Sequence, residues 1–365
     1  MSKNILFILH CPPPVHGSSI VGQSIKNSSK INNYFECRFI NLLLSRTIDD
    51  TGKAGFFKIM RFIGVWTKLL IEIFKKKPDL CYLALTTTGV AFYKDVLLVA
   101  LLRIAQVKRI YHLHNKGISQ QHYNKINKFL YGFIFNGADV ILLSNALYYD
   151  IKSFVPESRV SICPNGIEDA FPDFVPRNIE IESKIKIIFL SNLIESKGVF
   201  VLLDACSLLQ QKNIDFECDF IGAEGNVTIS EFNKKVNQHQ LNSKVHFLGK
   251  KYGNEKNNIL QNADIFAFPS YYSNECFPLV LLEAMSAGLP VVSTFEGGIP
   301  DIVQVGITGF LVPKRDSIAL SIQLEQLILS PQLRFKMGDA ARKKFESEYK
   351  LETFERRLIE ILDSK

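Results

Sequence analysis

Two glutamates eight residues apart, Glu275 and Glu283, flank a helix start in Pro269-Ser270-Tyr271-Tyr272-Ser273-Asn274-Glu275-Cys276-Phe277-Pro278-Leu279-Val280-Leu281-Leu282-Glu283-Ala284-Met285-Ser286-Ala287-Gly288-Leu289-Pro290. Pro278 stands where a first helical residue would, and Gly288 where the helix would end, with Pro290 after it. Free amides and the dipole at such a start suit a phosphate or a sugar oxygen. Glu283 lies among Leu281, Leu282, Ala284 and Met285, which predicts a buried carboxylate, and a buried carboxylate needs donors. A ribose diol supplies two. Glu275, at the mouth of the loop, can accept hydrogen bonds from sugar hydroxyls. The plainer alternative is a Glu283 paired to a lysine at the core edge and a solvated Glu275. For either glutamate alone that alternative is better; for the pair in this setting the functional reading is.

Three further segments carry polar side chains after apolar runs. Leu190-Ser191-Asn192-Leu193-Ile194-Glu195-Ser196-Lys197-Gly198 puts Lys197 at a helix start, where an isolated lysine is ordinarily solvated. His112-Leu113-His114-Asn115-Lys116-Gly117 ends a strand. Its alternating histidines could be a metal pair, but no acidic or cysteine partner has ligand spacing, so a structural His112 is the better reading. In Pro12-Pro13-Pro14-Val15-His16-Gly17 the glycine permits close backbone approach. Gly17-x4-Gly22 is not G-x-G-x-x-G, which argues against a dinucleotide fingerprint.

The elements that must position these residues alternate. In the first half the apolar pattern predicts strands at Ile5–Leu9, Asp79–Leu85, Arg109–Leu113 and Val140–Leu143, with helices from Ser19 and at Tyr93–Ala105 and Ile126–Asn136. The second half restarts with strands at Ile185–Ser191, Asp215–Ile221, Val245–Leu248, Ile265–Phe268 and Val291–Ser293, and helices at Val199–Gln210 and Ile229–His239. Such alternation means parallel α/β sheets. Two doubly wound domains follow: 1–172, joined by a C-terminal helix at 350–365, and 185–349, with a Pro-containing charged linker at 173–184. In such folds ligands bind beyond the carboxyl ends of the strands.

A chain of 365 residues suits two domains. Its seven cysteines are odd in number and lack C-x-x-C spacing, which predicts buried free thiols in a reducing compartment rather than a disulfide or zinc framework. The N-terminal apolar run is too short for a signal peptide, and no apolar run is long enough to span a membrane. A cytoplasmic location is expected. Residues 1–175 hold 21 basic and 12 acidic side chains, a net +9, while the whole chain carries +7. A basic half suggests an anionic partner. Residues 53–77 form a helix bearing Lys58, Arg61, Lys68, Lys75–Lys77 and the only tryptophan, Trp66. It reads either as an interface helix on anionic lipid or as a helix packed on the sheet. The packed helix is the better reading, and the basic domain also fits a lipid-diphosphate acceptor.

Glu275-x7-Glu283, followed by Gly288-Leu289-Pro290-Val291-Val292, Glu296-Gly297-Gly298-Ile299-Pro300 and Thr308-Gly309-Phe310-Leu311-Val312-Pro313, resembles the retaining GT-B glycosyltransferases often called family 4. The resemblance covers almost the whole second domain. It implies an α/β GT-B fold, with two Rossmann-like domains facing across a cleft. By the same resemblance Glu275 contacts the donor sugar, Glu283 the ribose, and the backbone of the loop Phe277, Pro278 and Leu279 approaches the sugar and diphosphate. Lys197 matches a diphosphate-binding lysine, whereas Asn192 stands where the family has arginine. Asn192 can donate a hydrogen bond but carries no charge. Gly222 and Phe247 fall where the family holds the base, Gly17 near donor phosphate, and His114 at the active-site histidine. The absence of D-x-D fits a metal-independent class.

The implied activity is transfer of a sugar, with retention, from a nucleotide-diphosphate sugar to a glycan or lipid-linked acceptor in capsule or lipopolysaccharide synthesis. A UDP-sugar is the first expectation for the donor; no metal, cofactor or nucleic acid is expected. His114, Lys197 and Glu275 are the expected catalytic residues. The rivals are a sugar-nucleotide epimerase or phosphorylase on the same fold, and a catalytically weak partner subunit, suggested by Asn192.

Overall fold

The computed structural model describes residues 2–13, 15–42, 56–175 and 184–365. Most of the linker expected at 173–184 therefore lies outside the described residues, as does Pro14. The chain divides into two compact units, residues 1–166 with 352–365, and residues 167–351. Residues 167–172, grouped with the first domain on sequence grounds, thus fall in the second unit.

Unit 1 contains β1 (Asn4–Leu9), α1 (Gly17–Asn27), α2 (Ser29–Tyr34), β2 (Glu36–Asn41), α3 (Phe56–Lys75), β3 (Leu80–Leu85) and α4 (Gly89–Ile104). It continues through β4 (Arg109–Leu113), α5 (Ile118–Gln121), α6 (Lys125–Phe135), β5 (Asp139–Leu142) and β6 (Val160–Ile162). The strands form one parallel sheet in the order β2-β1-β3-β4-β5-β6. Every residue of β1, β3 and β4 is buried, as strands covered on both faces require. Right-handed crossovers put α1 on one face and α3, α4 and α6 side by side on the other, because only the β1-to-β2 step runs leftward.

Unit 2 contains β7 (Lys186–Leu190), α7 (Val199–Gln211), β8 (Glu217–Ile221), α8 (Ile229–Gln238), β9 (Val245–Gly249), α9 (Gly253–Gln261) and β10 (Ile265–Phe268). It closes with α10 (Leu279–Ser286), β11 (Val291–Thr294), α11 (Ile299–Ile302), β12 (Gly309–Val312), α12 (Ser317–Leu329) and α13 (Pro331–Lys344). Its parallel sheet runs β12-β11-β10-β7-β8-β9. The last helix, α14 (Leu351–Asp363), returns almost entirely to unit 1, where Phe354, Leu358 and Leu362 are buried and Lys3 Nζ donates to the carbonyls of Leu362 and Asp363.

Three elements were not predicted as strands. β2 and β6 are edge strands, and most of their residues are at least partly exposed, so neither shows an apolar run. β12 starts on Gly309, whose missing side chain lets Val291 come close; a Cβ there would meet the Val291 carbonyl oxygen at 1.9 Å.

Candidate active site

Strand order in unit 2 reverses between β7 and β10. Loops leaving the carboxyl ends of two such strands diverge and leave a crevice, the usual ligand position in open α/β sheets. The loop after β7 delivers Lys197 and the loop after β10 delivers Glu275. Their side chains meet there, Nζ to Oε2, at 2.5 Å. Ser270 Oγ donates to the same carboxylate oxygen at 3.1 Å. Oε1 takes no protein partner among the described residues. Lys197 Nζ also lies 4.6 Å from the ring centre of Tyr272, a cation–π distance.

Backbone shape fixes this pair. Gly198 sits at φ +93°, and a Cβ there would lie 2.3 Å from the Pro269 carbonyl oxygen. That close approach locks the end of the Lys197 loop against the start of the Glu275 loop. On the other side Gly297, at φ +55°, would put a Cβ 2.0 Å from the Glu275 carbonyl oxygen. Glu296, 2% exposed, accepts from its neighbour Gly297 N and pairs with Lys314 at 2.5 Å.

α10 begins at Leu279 with Pro278 as its N-cap, one residue later than the sequence suggested, and no side chain caps it. Phe277 is buried, its ring centre 5.8 Å from that of Tyr349. The far end of α10 is clamped. Arg342 of α13, 3% exposed, donates to the Ser286 carbonyl at 2.6 Å and makes two bonds to Asp169 at 2.7 and 2.8 Å. A guanidinium there satisfies an orphan carbonyl and complements the dipole.

The burial expected for the two glutamates is inverted. Glu275 is 7% exposed, neither solvated nor at an open mouth. Glu283 is half-buried and paired to Lys256 of α9 at 2.9 Å, the plainer alternative for that residue. The apolar neighbours of Glu283 point into the core while its own position on the helix faces α9.

Asn192 ties two loops together. Its Oδ1 accepts from Ala223 N at 3.0 Å, and Leu193 N donates to the Ala223 carbonyl at 2.7 Å. Gly222 makes that approach possible, since a Cβ would lie 2.0 Å from the Ser191 carbonyl oxygen. Phe247 packs its ring 5.8 Å from that of Phe232 on α8.

In unit 1 the sheet reverses between β1 and β3. This end of the sheet holds four histidines, His10, His16 and His114 in loops and His112 in β4, of which only His114 was expected to act. His10 and His16 have ring centres 6.2 Å apart, and His112 and His114 4.2 Å apart. Burial, reinforced by the neighbouring His16, lowers His114 to about 4; burial, His16 and His114 lower His10 to about 3. Burial lowers His16 as well. All three are neutral imidazoles at neutral pH. His112 is structural on one side only: Nδ1 meets the Tyr82 hydroxyl at 2.5 Å, while Nε2 is buried without a partner among the described residues. Gly17 opens α1, capped by His16, and a Cβ there would meet nothing. Gly22 is the glycine that packing demands, its Cβ falling 2.0 Å from the His10 carbonyl oxygen. Among the described residues no group of three or more His, Cys, Asp or Glu could hold a metal.

Ser270, Tyr272, Lys256, His10 and His16 were not singled out by sequence. Hydroxyls in loops and a lysine within the polar helix α9 carry no apolar signal, and the histidines converge only through the sheet.

Residues 172–344 match the family described as Glycosyl transferases group 1. The chain is 29% identical over 323 residues to the amylovoran biosynthesis glycosyltransferase AmsK of Erwinia amylovora, covering 86% of this chain and 78% of that one. It is 26% identical over 231 residues to the capsular polysaccharide biosynthesis glycosyltransferase CapM of Staphylococcus aureus, 59% of each chain. Four other curated relatives are matched over 47–59% of their length. Among solved structures, Anabaena HepE in complex with UDP superposes with a TM-score of 0.77 over 100% of both chains at 19% identity, and its complex with UDP-glucose with 0.75. At that identity the likeness speaks for the fold. Residues 172–344 are thus similar to the glycosyl transferases group 1 family, and the chain as a whole has a two-domain α/β fold like that of neighbours that are GT-B glycosyltransferases.

Proposed function

We propose that this protein is a retaining, metal-independent glycosyltransferase that moves a sugar from a nucleotide-diphosphate sugar, with UDP as the nucleotide, to a glycan or lipid-linked acceptor during assembly of a bacterial surface polysaccharide. The observation that carries this reading is the Lys197–Glu275 pair at the switch point of the unit 2 sheet, beside the uncapped start of α10. A relative that makes a capsular polysaccharide and a fold neighbour solved with UDP-glucose support the acceptor class and the donor.

In this reading the donor diphosphate takes Lys197 and the α10 amides, which stabilise charge as it develops on the leaving oxygen. Glu275 then turns from Lys197 to the donor sugar, its free Oε1 already available to a hydroxyl. The bond from the sugar C1 to the diphosphate oxygen breaks. The acceptor oxygen bonds C1 on the same face, and its proton passes to the departing diphosphate. Neutral His114 acts as a hydrogen-bonding group to the sugar, not as a charge. Glu283, released from Lys256, accepts from the ribose.

Thermal melting with nucleoside diphosphates and their sugars, with and without EDTA, tests this directly. UDP and one UDP-sugar are expected to raise the melting temperature equally in both conditions. A shift seen only with a divalent ion, or with no nucleotide at all, would sink the donor assignment. A second reading, a catalytically weak partner subunit, is favoured by Asn192, whose Oδ1 serves Ala223 where the resembling family has a cation. Donor binding without either hydrolysis or transfer would establish it.

A further inference from the structure

Among the described residues, none covers the outer side of the α3–α4–α6 layer of unit 1, yet it is apolar. α4 exposes Val90, Tyr93, Leu97 and Ile104, the last 81% exposed, at the spacing of one helical stripe. Its opposite side, Phe92, Leu98, Val99 and Leu102, is buried, so the helix is apolar all round while lying at the surface. α3 beside it exposes Met60, Ile63, Ile71 and Phe74, the last at 83%. α6, on the other flank of α4, adds Ile126 and Phe129. α3 packs on α4 and α4 on α6, so the three stripes adjoin. Apolar exposure continuous over neighbouring helices marks an interaction surface rather than scattered surface residues.

Charge identifies the partner. The three helices hold eight Lys or Arg and only two Asp or Glu. Neither acid is offered outward: Asp95 is buried and accepts from Thr86 N, and Glu72 pairs with Arg38. Exposed Lys68, Lys75, Lys125 and Lys128 lie on the same helices as the stripes. Unit 1 carries 24 basic against 13 acidic side chains, a net +11, while unit 2 carries −4. A face both apolar and cationic matches the boundary between headgroups and acyl chains of an anionic bilayer. A protein partner could match the apolar stripes, but the absence of outward carboxylates on three successive helices has no purpose there.

We propose that the outer face of α3, α4 and α6 docks unit 1 on an anionic lipid bilayer, with Leu97, Ile104, Phe74 and Phe129 entering the interface and the lysines facing the headgroups. This enlarges the surface suggested by residues 53–77 alone, and stands independently of which donor the enzyme uses.

The full chain would be sedimented with vesicles of phosphatidylcholine alone and with about 30% phosphatidylglycerol. Binding is expected to the anionic vesicles only, and to fall as salt is raised. Leu97→Gln with Ile104→Gln, and separately Lys125→Glu with Lys128→Glu, should each weaken binding more than about tenfold. The four side chains are exposed, so melting temperature and nucleotide-induced stabilisation should stay as in the parent. Equal sedimentation with both vesicle types, or variants that bind like the parent, would overturn the proposal. So would a concentration-dependent dimer that Leu97→Gln with Ile104→Gln abolishes, since the face would then belong to a second copy of the chain.

Discussion

Lys197 and Glu275 neutralise each other, so removing either leaves the other largely buried beside a single hydroxyl. Lys197→Met and Glu275→Gln should each lower the transfer rate at least about a hundredfold. Each single change should also lower the melting temperature, because a buried charge has lost its partner. The double variant separates the two effects: it should melt close to the parent and remain inactive. A double variant that regains transfer would show the pair to be structural. Glu283→Gln belongs to a different lysine, and is expected to raise KM roughly tenfold with less change in kcat. At this scale the motif singled out Lys197 and Glu275, whose side chains the fold brings together. Sequence misjudged which glutamate is buried, because burial of a helical carboxylate depends on the face it occupies, and only α9 reveals that face.

Loops act here through glycines whose neighbours are backbone rather than side chain. Gly297→Ala would strain a left-handed φ and push a Cβ against the Glu275 carbonyl. We expect a loss of about 2–4 kcal/mol in unfolding experiments, with activity lost beyond what unfolding explains. Gly17→Ala is the contrast: its Cβ meets nothing and its backbone is helical, so stability should be unchanged or slightly raised. Reduced activity in that stable variant would place substrate against α1. Strands with continuous apolar runs, such as Arg109–Leu113 and Ile265–Phe268, were legible at their observed limits. The edge strands β2, β6 and β12 were not, although the edge strand β9 was, since β2 and β6 leave most of their residues partly exposed and show no apolar run.

For the whole molecule, acid is the sensitive condition. His10 and His114 take up protons near pH 6.5 when unfolded, but only near 3 and 4 when folded. The unfolded chain therefore binds more protons between those values, and stability falls as pH drops from about 6.5 toward 4. Asp95, raised to about 6 by burial, opposes this over part of the range, since its protonation relieves the fold. Melting curves from pH 4 to 8 should show a net loss on the acid side that His10→Asn with His114→Asn reduces. A pH-independent melting temperature in the parent would contradict it. Asp95→Asn should stabilise the protein above pH 6 and steepen the acid loss.

The return of α14 to unit 1 has a further consequence, in time rather than space. Unit 2 is continuous from Ile167 to Leu351, whereas unit 1 is missing its final helix until every residue of unit 2 has been synthesised. A nascent chain can therefore close its second domain while its first still lacks the helix whose Phe354, Leu358 and Leu362 become buried. The last domain begun would be the first finished on the ribosome. Residues 167–351 alone should melt cooperatively, whereas residues 1–166 should become soluble only when the 352–365 peptide is supplied. An early stop codon in the final helix would then damage the part of the protein made first.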